Sequence, residues 1–174
     1  MENIKITSGK FRGQNIKSPN SKLTHPMGSR EKLALFNMIS EYLPGANVLD
    51  AYAGSGALGI EALSHGARKV IFIEKSPKVS KIIKENLANL GLKENVWVGD
   101  TSKFNTDDFF DIIIADPPYN DFGTDGVKNL INFLRKSGVL VLSHPEKAPE
   151  IEGLELRKTR QYASAHISVY ALAE

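Results

Sequence analysis

A chain of 174 residues, 41% hydrophobic and 24% charged, is long enough to bury a substantial core and has the composition of a globular protein. It holds no cysteine, which excludes disulfides and thiolate metal sites and fits a reducing cytosol, and its four histidines show no metal-ligand spacing. The net charge is only +2, but residues 1–32 hold seven lysines and arginines against two glutamates, a basic arm before a slightly acidic body. No apolar run approaches the roughly 18 residues of a membrane span, and no signal-peptide pattern opens the chain.

In chain order, residues 4–8 and 14–17 read as two short strands around Gly9-Lys10-Phe11-Arg12-Gly13, a hairpin with a basic tip. Phe11 between Lys10 and Arg12 suggests a tip that grips phosphates and stacks on bases. Residues 18–28, rich in Ser, Pro and Asn, read as a loop. A helix is expected from Ser29, as N-cap, to Tyr42, with Leu33, Phe36, Ile39 and Leu43 on its apolar stripe and Pro44-Gly45 as its stop.

A strand–helix alternation follows. Strands are expected at 48–50, 70–74, 95–98, 110–115 and 138–143, and helices at 56–65, 77–89 and 124–136. Residues 101–109 read as a loop, and two last strands near 154–161 and 165–172 as an antiparallel pair. The alternation argues for a parallel sheet covered on both faces. One domain over 1–174 is expected, with 1–28 as a basic extension and 29–174 as the core.

Asp50-Ala51-Tyr52-Ala53-Gly54-Ser55-Gly56-Ala57-Leu58-Gly59 lies between the first core strand and its helix. Gly54, Gly56 and Gly59 satisfy the dinucleotide fingerprint, so a nicotinamide or flavin enzyme is a rival reading. Asp50 argues against it, because a carboxylate repels a pyrophosphate and attracts an ammonium group. Glu74, followed by Lys75, ends the second strand and can accept ribose hydroxyls. Asp100, followed by Thr101, ends the third and can accept from an adenine amine. Three acids at three strand ends suit a cationic nucleoside such as S-adenosylmethionine; each alone reads equally as a helix cap.

The apolar, β-branched run 110–115 ends in Asp116-Pro117-Pro118-Tyr119. Neither proline can donate to a ladder, so the strand stops in a rigid corner. That corner offers a carboxylate, fixed carbonyls and an aromatic face to a planar base bearing an amine.

With these motifs, the chain resembles class I S-adenosylmethionine-dependent methyltransferases, and most closely the small-subunit rRNA guanine-N2 methyltransferases of RsmD type. Ser8 to Gly13, Arg30 with Ala34-Leu35-Phe36-Asn37, Asp50 to Ser64, Asp116 to Tyr119 and Tyr162 to Tyr170 carry the resemblance. The chain departs from the family pattern at Ser29, at Lys32-Leu33, at His25-Pro26-Met27-Gly28 and at Ala163.

The resemblance implies an α/β fold: a doubly wound, Rossmann-like, seven-stranded, mostly parallel sheet ordered 3-2-1-4-5-7-6, its last strand antiparallel, with a small N-terminal hairpin and helix. It implies S-adenosylmethionine as cofactor, held by Asp50 to Gly56, Glu74, Lys75, Asp100 and Thr101. It also implies catalysis by Asp116, Pro117, Pro118 and Tyr119. Lys10, Phe11, Arg12 and Arg30 are expected to meet rRNA, free or in the small subunit. A cytoplasmic monomer without metal or membrane is expected. Adenine-N6 methylation and non-catalytic rRNA clamping remain open alternatives, because the Asp-Pro-Pro-Tyr corner suits any exocyclic amine.

Overall fold

The computed structural model describes residues 3–19, 27–121, 123–162 and 165–174; His25, Pro26 and Ala163, and most of the expected 18–28 loop, lie outside these. The molecule is built on one seven-stranded sheet. β3 (Asn47–Ala51), β4 (Lys69–Glu74), β5 (Asn95–Val98), β6 (Phe110–Ala115) and β7 (Leu134–His144) run parallel, and β8 (Leu154–Tyr162) and β9 (Ala165–Leu172) close the far edge. The spatial order is β5-β4-β3-β6-β7-β9-β8, with β9 antiparallel to both neighbours. Counting the core strands alone, this is the expected 3-2-1-4-5-7-6.

The central strands are largely apolar because both their faces are covered, with Asp50 in β3 and Asp111 in β6 as interruptions. One face packs Val48, Val70, Phe72, Ile112, Ile114, Val139, Val141, Ile167 and Val169 under α1 (Ser29–Met38), α2 (Ala57–Ser64) and α3 (Pro77–Asn89). The other packs Leu49, Ile71, Ile73, Ile113, Leu140, Leu142 and Tyr170 under α4 (Asp125–Ile131) and its neighbours. Helix α3 has the bounds read from sequence; the Ser76 hydroxyl accepts from Val79 N–H and Pro77 opens the first turn.

Three elements of the core differ from expectation. Gly28, not Ser29, caps α1, which ends at Met38; Ile39 and Leu43 still reach the core through the turn beyond. Leu33 is 45% exposed, and Leu35 and the side chain of Lys32 take the buried positions instead. Helix α4 stops at Ile131, short of the expected 136, and β7 begins at Leu134. Val127 and Leu130 already spend the helix's apolar anchors, while Leu134 pairs with Phe110 in the sheet. The register shift that follows on β6 lies opposite Gly138, where a Cβ would press on the Asp111 carbonyl.

The N-terminal hairpin, β1 (Asn3–Lys5) with β2 (Asn15–Lys17), forms its own two-stranded sheet. Lys17 N–H donates to the Asn86 side chain of α3 at 2.8 Å, and Asn86 donates back to the Lys17 carbonyl at 2.9 Å. On α2, the carboxylate of Glu61 is wholly buried and accepts from the Thr7 N–H at 2.9 Å, the Thr7 hydroxyl at 2.5 Å and the Ser8 N–H at 3.0 Å. Lys32 of α1 completes this knot with its ammonium 3.1 Å from Glu61 and 3.0 Å from the Lys5 carbonyl. Hairpin, α1 and α2 are thereby locked together beside the C-terminal ends of the parallel strands.

Candidate active site

Those strand ends frame a cleft of about 890 Å³, within the size range of small-ligand sites. Tyr52, Ala53, Gly54 and Ser55 line it from the loop after β3, Glu74 and Lys75 from the end of β4, and Asp100 and Thr101 from the end of β5. Asp116, Pro117, Pro118 and Tyr119 line it from the end of β6. The parallel topology gathers all of them at one sheet edge, where open α/β folds take their ligands.

Three residues expected at the cofactor lie one layer deeper. Ala51 is fully buried within β3. Gly56 is the N-cap of α2 with φ +81°, a left-handed conformation in which any side chain would be strained. Asp50 is 1% exposed and does not reach the cleft wall. Its Oδ2 instead accepts from Gly59 N–H at 2.8 Å, which pins the loop and the start of α2 to the strand. A Cβ at Gly59 would collide with the Phe72 ring and press on Asp50, so the third glycine of the fingerprint serves helix–sheet packing. Burial pushes the Asp50 carboxyl up to about 8, with the charges of Asp116 and Glu74 adding to the rise.

Glu74 also fastens the loop that lines the cleft. Its Oε2 accepts from Gly54 N–H at 2.9 Å and its Oε1 from Ser76 N–H at 2.8 Å, which ties the glycine loop to the end of β4. Each oxygen keeps a second lone pair for a ligand hydroxyl. Asp100 combines two readings of the sequence: it lines the cleft and also caps a short 3-10 turn over Thr101–Lys103. Its carboxyl is held down at about 2 by the Ser102 hydroxyl and N–H, with Lys75, 3.3 Å away, adding to this. Thr101 donates to the Tyr52 hydroxyl at 3.0 Å, and Gly126 of α4 packs so closely that a Cβ there would strike both. Tyr52 has φ +61°, the sole positive φ among the described residues other than glycines, at the floor of the site.

The cleft is electrically negative. Glu31, Glu74, Asp100, Asp116 and Asp125 line it against Lys32 and Lys75, and those two lysines are engaged by Glu61 and Asp100. Such a lining attracts a cationic ligand and opposes a pyrophosphate. Among the described residues no group of side chains could hold a metal ion, and no helix is long and apolar enough to cross a membrane.

The corner after β6 is braced by a residue that sequence reasoning did not single out. Ser143, at the end of the adjacent β7, is 1% exposed and lines the cleft. Its hydroxyl shares a 2.5 Å hydrogen bond with the Tyr119 hydroxyl, and its influence on Asp116 favours the ionised carboxyl. Either hydroxyl of that bond can donate, and a proton donated toward Asp116 favours its charged form. Burial outweighs that donation and pushes Asp116 up to about 6. Tyr119 is raised from its ordinary value mainly by its own burial, with the charges of Asp116 and Glu31 adding to it. The signal for Ser143 is three-dimensional: β6 and β7 are neighbours, but Tyr119 and Ser143 are 24 residues apart. Glu31 and Lys32 were likewise found by the fold, which turns the first turn of α1 over the cleft.

The basic tip does not have the form expected of it. Lys10, Arg12 and Arg30 are exposed, away from the cleft wall. Phe11 is only 7% exposed; its ring belongs to the core beneath α1 and α2, and its N–H donates to Ser64 Oγ at 2.9 Å. An aromatic ring on so short a hairpin is the hairpin's own anchor, so Phe11 has no open face for a base. The Lys10 ammonium lies over that ring, 5.4 Å from its centre.

Against known proteins, a family model described as Conserved hypothetical protein 95 matches residues 4–171. A Bacillus subtilis protein named as an rRNA methyltransferase, YlbH, is 31% identical over 96% of this chain and 98% of its own length. The Haemophilus influenzae ribosomal RNA small subunit methyltransferase D is 36% identical over 67% of this chain and 64% of its own. Among solved structures, an Escherichia coli protein described as a methyltransferase superposes with a TM-score of 0.88 at 25% identity, covering 98% of both chains.

Proposed function

The chain belongs to the RsmD-type rRNA methyltransferase family, and on that premise we propose that it methylates the exocyclic N2 amine of a guanine in small-subunit rRNA, using S-adenosylmethionine. The observation that carries this reading is the meeting of two half-sites in one cleft. The Gly54 loop with Glu74 and Asp100 faces the Asp116–Tyr119 corner braced by Ser143.

S-adenosylmethionine, when bound, supplies a methyl group already activated on a sulfonium. Tyr52 to Ser55, Glu74, Lys75, Asp100 and Thr101 would hold it, and the negative lining suits its charge. The chain's own task is then positioning and electrostatics. Tyr119, its hydroxyl anchored on Ser143, gives a rigid face for a base taken out of its stack. The Asp116 carboxylate and the Pro117 carbonyl accept the two N–H bonds of the amine. That pairing turns the nitrogen lone pair away from the ring and toward the cofactor side of the cleft. Positive charge grows on the amine during transfer, so Asp116 acts most strongly in the transition state. With a pKa near 6, Asp116 is ionised at neutral pH and still basic enough to take the departing proton.

The test incubates the protein with labelled S-adenosylmethionine and small ribosomal subunits, naked small-subunit rRNA or DNA, followed by digestion to nucleosides. N2-methylguanosine from the rRNA arms is expected. N6-methyladenine, or no label in any arm, overturns the reading. S-adenosylhomocysteine should raise the melting temperature and NAD should not.

A further inference from the structure

We propose that the outer strand β8 is a second contact for the RNA backbone, with Lys158 and Arg160 gripping phosphates on the flank of the base pocket away from the N-terminal hairpin. The inference rests on the rRNA reading above and adds a surface to it.

Strand β8 is the open edge of the sheet, and residues 155–161 are all exposed. Its register with β9 pairs Lys158 with Val169, Arg160 with Ile167 and Tyr162 with Ala165. Directly paired residues of an antiparallel ladder point to the same face. Val169 and Ile167 belong to the core under α1, so Lys158 and Arg160 share the face that carries α1, whose first turn holds Arg30. The row runs on into the site: Ile167 pairs in turn with Ser143, the residue that braces Asp116 and Tyr119. The backbone of Arg160 thus lies two inter-strand spacings, about 10 Å, from that of Ser143. Tyr162 pairs with Ala165, which itself lines the cleft.

The row opens with one acid, Glu155 opposite Ala171, and continues with Lys158 and Arg160. Arg157, at the register shift between Leu156 and Lys158, takes up the Glu155 carboxylate at 3.1 Å and leaves the two cations beyond it. Lys158 and Arg160 have no ion pair among the described residues, and the Arg160 guanidinium touches only the neighbouring Thr159 carbonyl. Charge on an exposed edge also discourages strand-to-strand association, but either sign serves that end. Two unpaired cations about 7 Å apart on the row that leads to the base pocket match a polyanionic strand. The hairpin packs on the same face, but through α2 and α3 it lies toward the opposite, β4–β5 edge of the sheet. RNA delivering one base to the corner after β6 would be held on both sides.

Lys158→Gln/Arg160→Gln tests this, with Lys93→Gln/Lys136→Gln, at the opposite ends of the strands, as control. Both pairs are exposed, so folding should be unaffected, and a melting curve checks it. Binding of a small-subunit rRNA transcript is followed by fluorescence anisotropy across a KCl series, and initial rates give KM for RNA and kcat. The β8 variant should bind about tenfold more weakly, with the log–log salt slope reduced by about 1.4 for two lost phosphates. KM for RNA should rise while kcat and the response to S-adenosylhomocysteine hold. An unchanged salt slope and KM overturn the proposal, as does sedimentation showing that the β8 edge of the wild type pairs with a second copy. If the wild type binds rRNA but forms no N2-methylguanosine, the functional reading falls while the β8 comparison of salt slopes still decides this one.

Discussion

Asp116 must be ionised to balance the positive charge that grows on the amine and to take its proton, and burial pushes its carboxyl up to about 6. Below that pH it is neutral, so kcat/KM should rise through about pH 6 and level off above it. The sign for stability is opposite. A raised acid pKa means that the folded state keeps a proton the unfolded chain releases, so stability falls as pH climbs from the ordinary 3.8 through 6. Asp116→Asn should lower kcat by about a hundredfold or more while the shift in melting temperature given by S-adenosylhomocysteine holds; a variant with normal turnover would remove Asp116 from the mechanism. Ser143→Ala deletes a donor that favours the ionised form, so the acid limb should move to higher pH. The loss of rate should then be larger at pH 6 than at pH 8. A uniform loss at every pH would mean that Ser143 only shapes the corner.

The hairpin, α1 and α2 behave as one element because of a single buried knot. Lys32 is 2% exposed and Glu61 fully buried, and Glu61 also holds the backbone of Thr7 and Ser8. Removing one partner of a buried pair strands the other charge, so Lys32→Met should cost about 3–5 kcal/mol in urea unfolding. Hydrogen exchange at Thr7 and Ser8 should accelerate with it. Phe11→Ala should cost about 3–5 kcal/mol through the cavity it leaves, and RNA binding by the remaining folded protein should be near normal. None of this was legible in sequence. An aromatic residue between two cations reads the same whether it is a base platform or an anchor. Lys32 and Glu61 are 29 positions apart, and only the packing of α1 against α2 brings them together. The end of α4 was hidden for a similar reason: its apolar spacing continues through Leu134, and pairing with Phe110 draws that residue into the sheet.

At the scale of the whole molecule the sequence is a better guide. Strands β3, β4 and β6 are buried on both faces and so are largely apolar, interrupted by Asp50 and Asp111, while their spatial order was implied by the family resemblance. The glycine loop and the Asp116 corner come together because both follow parallel strands in adjacent register, Ala51 beside Ala115. Charge is also divided at this scale. Lys10, Arg12 and Arg30 are exposed outside a cleft whose lining is acidic. A cationic small molecule and a polyanion therefore have separate places, and salt should act on them differently. Lys10→Gln/Arg12→Gln/Arg30→Gln should leave the melting shift given by S-adenosylhomocysteine intact. It should weaken rRNA binding and lower the magnitude of the log–log salt slope by about 2, roughly 0.7 for each phosphate released from a single strand. The slope is the decisive reading, because a merely loosened hairpin would weaken binding at every salt concentration and leave its gradient unaltered. A gradient equal to that of the wild type would remove the basic arm from the RNA interface and leave the sheet edge at β8 as the place to look for it.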